Sequence, residues 1–321
     1  MGQLEIDLSD VGEWKPSMSM VRDAVLSNLI LEPGKLDGVS YSAAQSEVDN
    51  MCAMGIEAVK AGRVVHLGHL PNQAIKDMGD HGGPLYNQGG LPQPFAHPWL
   101  FMHTWDGGEG MTKLPATSVY LVNPTFGPDG DTAGCEIVEL QPVRINHGNV
   151  LLMGDRVLLD APTGHELRAK YHCISVPSPM RYVPGMEPIN NGMNPEEAAA
   201  GNVLDPLMAA LLLMNVEGVG RRTVGPSEKL RRARIKNRKP PLPSHIEVDS
   251  APYVTAILAR REGRRLAQGG HHASPVPHIR RGHVRVYASG QRSIIRETLV
   301  NVTADARSAF VSKRSHYEVR T

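Results

Sequence analysis

The sequence predicts an α+β fold, with a mixed N-terminal region, a β-rich middle and a basic C-terminal module carrying a β-hairpin. Three observations carry this expectation. Two segments before residue 62 place apolar residues at helical spacing. Residues 117–177 hold strand-like runs cut by turn signals. The last third concentrates Arg and Lys around a pair of alternating runs.

In chain order, residues 18–32 predict a short amphipathic helix with Val21, Val25, Leu26 and Leu29 on one face, stopped by Pro33-Gly34. Residues 42–61 predict a second, with Val48, Met51, Cys52, Ile56 and Val59 inward and Gly62 ending it, followed by a strand over 63–67. Residues 68–116 read as an irregular, breaker-rich loop, because Gly and Pro interrupt every periodicity. That stretch contains Phe95, Trp99, Phe101 and Trp105, which are expected to pack beneath it. The runs SVYLV, EIVELQPVRI, NVLLMGDRVLLD and LRAKYHCISV then predict strands of a meander or small barrel.

A Pro/Gly/Asn/Met linker covers 178–193. Asn194-Pro195-Glu196-Glu197 starts a helix, with Asn as N-cap, Pro at N1 and acids in the first turn. Asp205-Pro206 predicts a break before the apolar run Leu207–Met214, which should be buried or lie at a subunit contact. Residues 227–241 read as a basic helix ended by Pro240-Pro241, HIEVDS as a strand, and 262–277 as a mobile loop. Two alternating runs flanking Ser289-Gly290 predict a hairpin, with Val284 and Val286 on one face and Arg285 and Tyr287 on the other. The division expected is an acidic α+β domain (1–177), a linker with an apolar helix (178–217) and a basic module (218–321).

Net charge is +1, but it is split along the chain. Residues 218–321 contain 22 Lys+Arg against 7 Asp+Glu, a balance of +15, and residues 1–217 balance at −14. Such asymmetry points to a charged partner for one part. The basic part can bind phosphates, dock on the acidic part of its own or a sister chain, or be a solvated face. Of its 22 cations 18 are Arg, whose planar fork suits bidentate phosphate contacts, so phosphate is favoured.

Other classes find less support. The three cysteines, Cys52, Cys135 and Cys173, are widely spaced and form no CxxC, which predicts buried thiols in a reducing compartment. The first residues are acidic with no apolar core, so no signal peptide is expected. The longest apolar run has eight residues, where a membrane span needs ~20, so a soluble protein of the cytoplasm of its cell or host is expected. No Walker A, G-x-S-x-G or HExxH pattern occurs, so no catalytic residue and no cofactor are assigned. His66 and His69 with Asp77, Asp80 and His81, and His271, His272, His278 and His283, have ligand chemistry without ligand spacing, and no metal site is assigned.

The candidate nucleic-acid-binding residues fall in two strips. Arg231, Arg232, Arg234, Lys236, Arg238 and Lys239 can neutralise a run of phosphates. Arg280, Arg281, His283, Arg285 and Tyr287 can form a second strip, in which Gly282 allows close backbone approach and Tyr287 or His283 can stack on a base.

Over residues 207–321, the series PSEKLRRARIKNRKPPLP, HIEV, HASPVPHIRRGHVRVY and the ending HYEV resembles a basic, RRGH-containing C-terminal module of bacteriophage and prophage accessory proteins. The strand Ser293–Arg296 lacks the aromatic residues of that module, so no base stacking carries over to it. The resemblance implies a phage source and a role near replication or transcription. With the charge split, it leads to the expectation of an accessory protein that binds nucleic acid, favouring single-stranded DNA with little sequence preference, alongside phage or host replication or transcription proteins. A homo-oligomer is expected on the apolar face of Leu207–Met214. The alternatives are an interaction protein, either a virion component or a host-enzyme modulator, and a metal-dependent enzyme built on the His/Asp-bearing segment 66–106.

Overall fold

The protein alternates helices and strands where the apolar periodicity changes between 3.6 and 2. In the computed structural model these are α1 (Met18–Leu26), β1 (Ile30–Leu31), α2 (Gln45–Lys60), β2 (Val64–His69), α3 (Asn72–Asn87), β3 (Trp99–Trp105), β4 (Ala116–Phe126), β5 (Thr132–Ile145), β6 (Gly148–Asp160), β7 (Cys173–Val176), α4 (Pro195–Asn215), β8 (Gly220–Val224), α5 (Glu228–Lys236), β9 (His245–Asp249), α6 (Ala251–Arg261), β10 (His278–Arg280), β11 (His283–Val286), β12 (Arg292–Ile295) and β13 (Thr298–Val300). The structure describes residues 18–26, 30–31, 45–106, 116–126, 132–145, 148–160, 173–176, 195–261, 278–280, 282–287, 292–296 and 298–300.

Nine strands form one mixed sheet in the order β1-β6-β5-β4-β3-β2-β9-β8, with β7 also paired to β6. From β3 to β7 neighbours are antiparallel, the meander expected from the strand-like runs, and it opens into the larger sheet rather than closing as a barrel. Strands β3, β2 and β9 are mutually parallel and β8 closes the edge antiparallel to β9. The fold is therefore α+β on a large mixed sheet.

Side chains alternate across the sheet, so each strand feeds two cores. On one face Val64, Leu100, Met102, Val119, Leu121 and Val138 pack under α1 and α2, through Val21, Val25, Met51 and Val59. On the other, Val65, Leu67, Trp99, Phe101, Tyr120 and Ile137 pack under α3, α4 and α6. At roughly 25 cal/mol per Å² of apolar surface removed from water, these two layers are the main stabilising term. The aromatic residues of 95–105 lie within this second layer, where Phe101 stacks on Tyr120 at 4.7 Å.

Three expectations from the sequence are corrected. Residues 68–116 do not form one irregular loop, since they contain helix α3 and strand β3. The glycines that hid α3 are a packing surface. A methyl on Gly79 would overlap the Asp205 carboxyl, and one on Gly82 would meet Met208 Cβ at 2.9 Å, so bare backbone lets α4 lie close against α3. The helix expected to break at Asp205-Pro206 runs unbroken from 195 to 215. A proline inside a helix costs about 3 kcal/mol, and here burial of the whole stretch Leu207–Leu213 offsets it. That run is buried against its own sheet and α3, one of the two placements expected for it. The helix expected over 18–32 ends at Leu26, and Ile30–Leu31 form strand β1 instead.

The sheet also crosses the boundary expected at residue 217. Strands β8 and β9, from the basic part, pair with each other and through β9 with β2. The expected hairpin is present as β11 paired antiparallel to β12 with His283 opposite Ile295, beside a second pair, β10 with β13. The linker 178–193, the loop 262–277 and Ser289-Gly290 lie outside the described residues. No helix among the described residues is long and apolar enough to cross a membrane.

Candidate nucleic-acid interface

Helix α5 is short, so its ends decide whether it forms. Ser227 caps it, its Oγ accepting from Leu230 N at 3.3 Å, with Glu228 in the first turn and Arg234 and Lys236 in the last, an order that complements the helix dipole. At the other end Arg238 adopts the left-handed conformation at φ 54°. Lys239 N then donates to Arg234 O at 2.9 Å and Arg238 N to Ile235 O at 3.1 Å, a Schellman closure in which the position usually given to Gly is held by Arg. An arginine there sacrifices some stability and keeps a cation at the helix end.

Most of the expected cations of this segment face solvent. Arg231, Arg232, Lys236, Arg238 and Lys239 are exposed. Glu228, the one acid of the stretch, is gripped by two of them: Arg231 Nε and Nη2 donate at 2.7 and 2.9 Å, and Arg232 Nε at 2.9 Å. Those hydrogen bonds hold its carboxyl down at about 2. Among the described residues no ion pair forms at Lys236 or Arg238.

Arg234 departs from the strip. Its side chain is 6% exposed and turned inward, with Nη1 on Asp23 Oδ1 at 2.9 Å and Nε on Pro240 O at 2.6 Å. Lys239 Nζ reaches the other oxygen of Asp23 at 3.2 Å. Burial alone would raise the Asp23 carboxyl, but the hydrogen bonds from Arg234 and Lys239 hold it below its usual range. Beside them Arg22 is buried and donates to the Pro243 carbonyl. Part of the basic segment thus docks on an acid of the N-terminal half. Arg22 and Asp23 carry no sequence signal for this role, because a cation on the buried side of α1 looks like an ordinary break in its apolar stripe.

The second strip is held by β10 and β11. Arg280, His283, Arg285 and Tyr287 are exposed, and Arg281 lies outside the described residues. Residues 285 and 287 share a face, with Arg285 Cζ 5.9 Å from the centre of the Tyr287 ring. A guanidinium over a phenol ring offers a cation and a flat apolar surface together, the pair that a nucleotide's phosphate and base require. Gly282, His283, Ile295 and Arg296 border a small notch against Leu91 and Val216. Arg221 is committed to the fold, since it donates to Leu213 O and Val216 O and so caps α4.

The His/Asp-bearing segment is divided among different tasks. His69 bridges Asp106 at 3.2 Å and Thr104 Oγ1 at 3.3 Å. His103 stacks on Tyr120 at 5.8 Å, and burial pushes it down to about 4. Among the described residues no three His, Cys, Asp or Glu side chains come together as metal ligands do. Cys52 and Cys135 are buried thiols, and burial pushes Cys135 up to about 12.

Residues 70–302 match the model of the AcrVA2-like family, described as the anti-CRISPR type V subtype A2 family. No curated protein and no solved structure matches the chain. The matched span runs from the end of β2 to just past β13 and includes both cationic strips.

Proposed function

The chain belongs to the AcrVA2-like, anti-CRISPR type V subtype A2 family and is a phage-type accessory protein, and from that membership we propose that it counters a type V CRISPR system by contacting single-stranded nucleic acid, DNA foremost. The observation that carries this reading is the outer face of α5 and its C-terminal turn. Five exposed cations share it with one acid, which two of them already neutralise. Such a surface binds phosphates with little regard for sequence. Arg285 and Tyr287 add a platform on which a base can stack.

The test in cells uses a host carrying a type V system. The wild-type protein is expected to protect an invading phage or plasmid. The double variant Lys236→Glu/Arg238→Glu, shown to be folded by circular dichroism, is expected to lose that protection. Undiminished protection by the folded variant would remove α5 as the working surface.

A second reading has its own observation. Ile235 is 67% exposed among the cations of α5. A large apolar side chain ringed by charge suits a protein partner with an acidic rim, as a modulator of a host enzyme would use. Ile235→Ser separates the two readings, because it should abolish a protein contact and leave salt-dependent oligonucleotide binding intact.

A further inference from the structure

We propose that Arg22, Arg234 and Lys239 form a site for a phosphate dianion, seated where α5 meets α1. This deepens the nucleic-acid reading above and rests on it for the identity of the natural ligand, a terminal phosphate of an oligonucleotide, with free phosphate as the other source of the same chemistry.

The argument starts from charge. Two cations converge on one carboxylate, Asp23, among the described residues, Arg234 at 2.9 Å and Lys239 at 3.2 Å. Arg22 joins them through the neighbouring chain, since its guanidinium donates to Pro243 O while Arg234 donates to Pro240 O. Both arginines are buried, and burial together with the Arg234 charge pushes Arg22 down to about 10. A buried like-charged pair is costly unless something neutralises it. Asp23 supplies a single negative charge, so the cluster carries two positive charges in excess, the charge a phosphate monoester dianion balances.

The donors agree with the charge. Arg22 Nε and Arg234 Nη2 are buried with no hydrogen-bond partner among the described residues. Orphaned buried guanidinium N–H groups are uncommon, and two from different elements at one cluster need an acceptor with several oxygens. The solvent side of the cluster is Lys239 and Asp23, 54% and 31% exposed, whereas Arg234 is 6% exposed. An anion approaching from solvent would meet the exposed Lys239 before the buried arginines. The site sits at the end of the α5 strip, so a strand tracking that strip brings its terminus to the solvent side of the cluster.

The experiment uses the full chain and two readouts. Thermal unfolding is followed with inorganic phosphate against chloride at matched ionic strength. Binding is measured by anisotropy with one labelled oligonucleotide carrying either a 5′-phosphate or a 5′-hydroxyl. The wild type should be stabilised by phosphate and should bind the phosphorylated strand about tenfold more tightly, the weight of one charge-assisted hydrogen bond. Arg234→Met, at a side chain turned away from the strip, should erase both effects and leave binding of the 5′-hydroxyl strand nearly unchanged, and Lys239→Met should erase both effects while weakening the two strands alike, because Lys239 also belongs to the strip. Asp23→Asn, which removes the competing acid, should retain or increase them. Stabilisation by phosphate without binding of either strand would uphold the site and overturn the nucleic-acid reading. Stabilisation with equal binding of the two strands would uphold the site and make free phosphate its ligand. Equal binding of the two strands with no stabilisation by phosphate would overturn the site and leave the nucleic-acid reading standing.

Discussion

At the scale of single residues, two positions trade stability against charge, and each makes the trade measurable. Arg238 holds a left-handed conformation, φ 54°, that favours Gly. Arg238→Gly should raise stability by about 0.5–1 kcal/mol in urea unfolding. It should also flatten the salt dependence of oligonucleotide binding by about 0.7 log units per log salt. A variant that gains stability without losing salt dependence would show that the cation has no part in binding. Asp205 is the second. Burial against α3, with the Asp80 charge nearby, pushes its carboxyl up to about 7 from an ordinary 3.8. The folded state therefore holds a proton that the unfolded chain releases, and this group's contribution to stability falls as pH rises from about 4 to about 7. Asp205→Asn should remove that loss, making the variant more stable than wild type at pH 8 by on the order of 1–3 kcal/mol, with the gap closing toward pH 4. Parallel pH profiles for the two proteins would refute the assignment. The sequence marked Arg238 only as one cation in a run, because a Schellman closure is recognised by its Gly, and here there is none.

At the scale of elements, what could be read from the sequence depended on which force builds each piece. The meander β4–β7 was legible because alternation and turn residues are local signals. The same holds for α5, with Ser227 before it and prolines after it. Helix α3 was illegible because Gly79, Gly82, Gly83 and Pro84 all argue locally against a helix. Their use appears only when α4 is laid against them, so tertiary packing overrides propensity. Helix α4 shows the same effect at Pro206. Gly82→Ala is therefore expected to destabilise the protein by about 1–3 kcal/mol, because the new methyl overlaps Met208 where an exposed helical glycine would have gained stability. A higher denaturation midpoint for the variant would mean that α3 and α4 are not tightly apposed.

At the scale of the whole molecule, the charge split does not coincide with a break in the fold. The acidic and basic parts share one sheet through β2 and β9, and Arg234 and Lys239 tie α5 to Asp23. Ending the chain after Glu217 would strip β9 from β2 and remove Val248, Tyr253 and Ile257 from the core. The shortened protein should lose its cooperative thermal transition, and a sharp transition in it would show that the two parts fold separately. The asymmetry in charge was thus a better guide to surface than to domains, because charge patterning reports the partners of a face and the sheet is assembled by apolar residues. The most direct test of the central claim is the anisotropy of a labelled single-stranded oligonucleotide titrated with the full-length protein across a range of salt, beside a duplex of the same sequence. The expected result is tighter binding of the single strand, weakening with salt at a slope of about −2 to −4, as three to five phosphate contacts require. No binding of either form at low salt would contradict it and leave the cations of α5 to a protein partner.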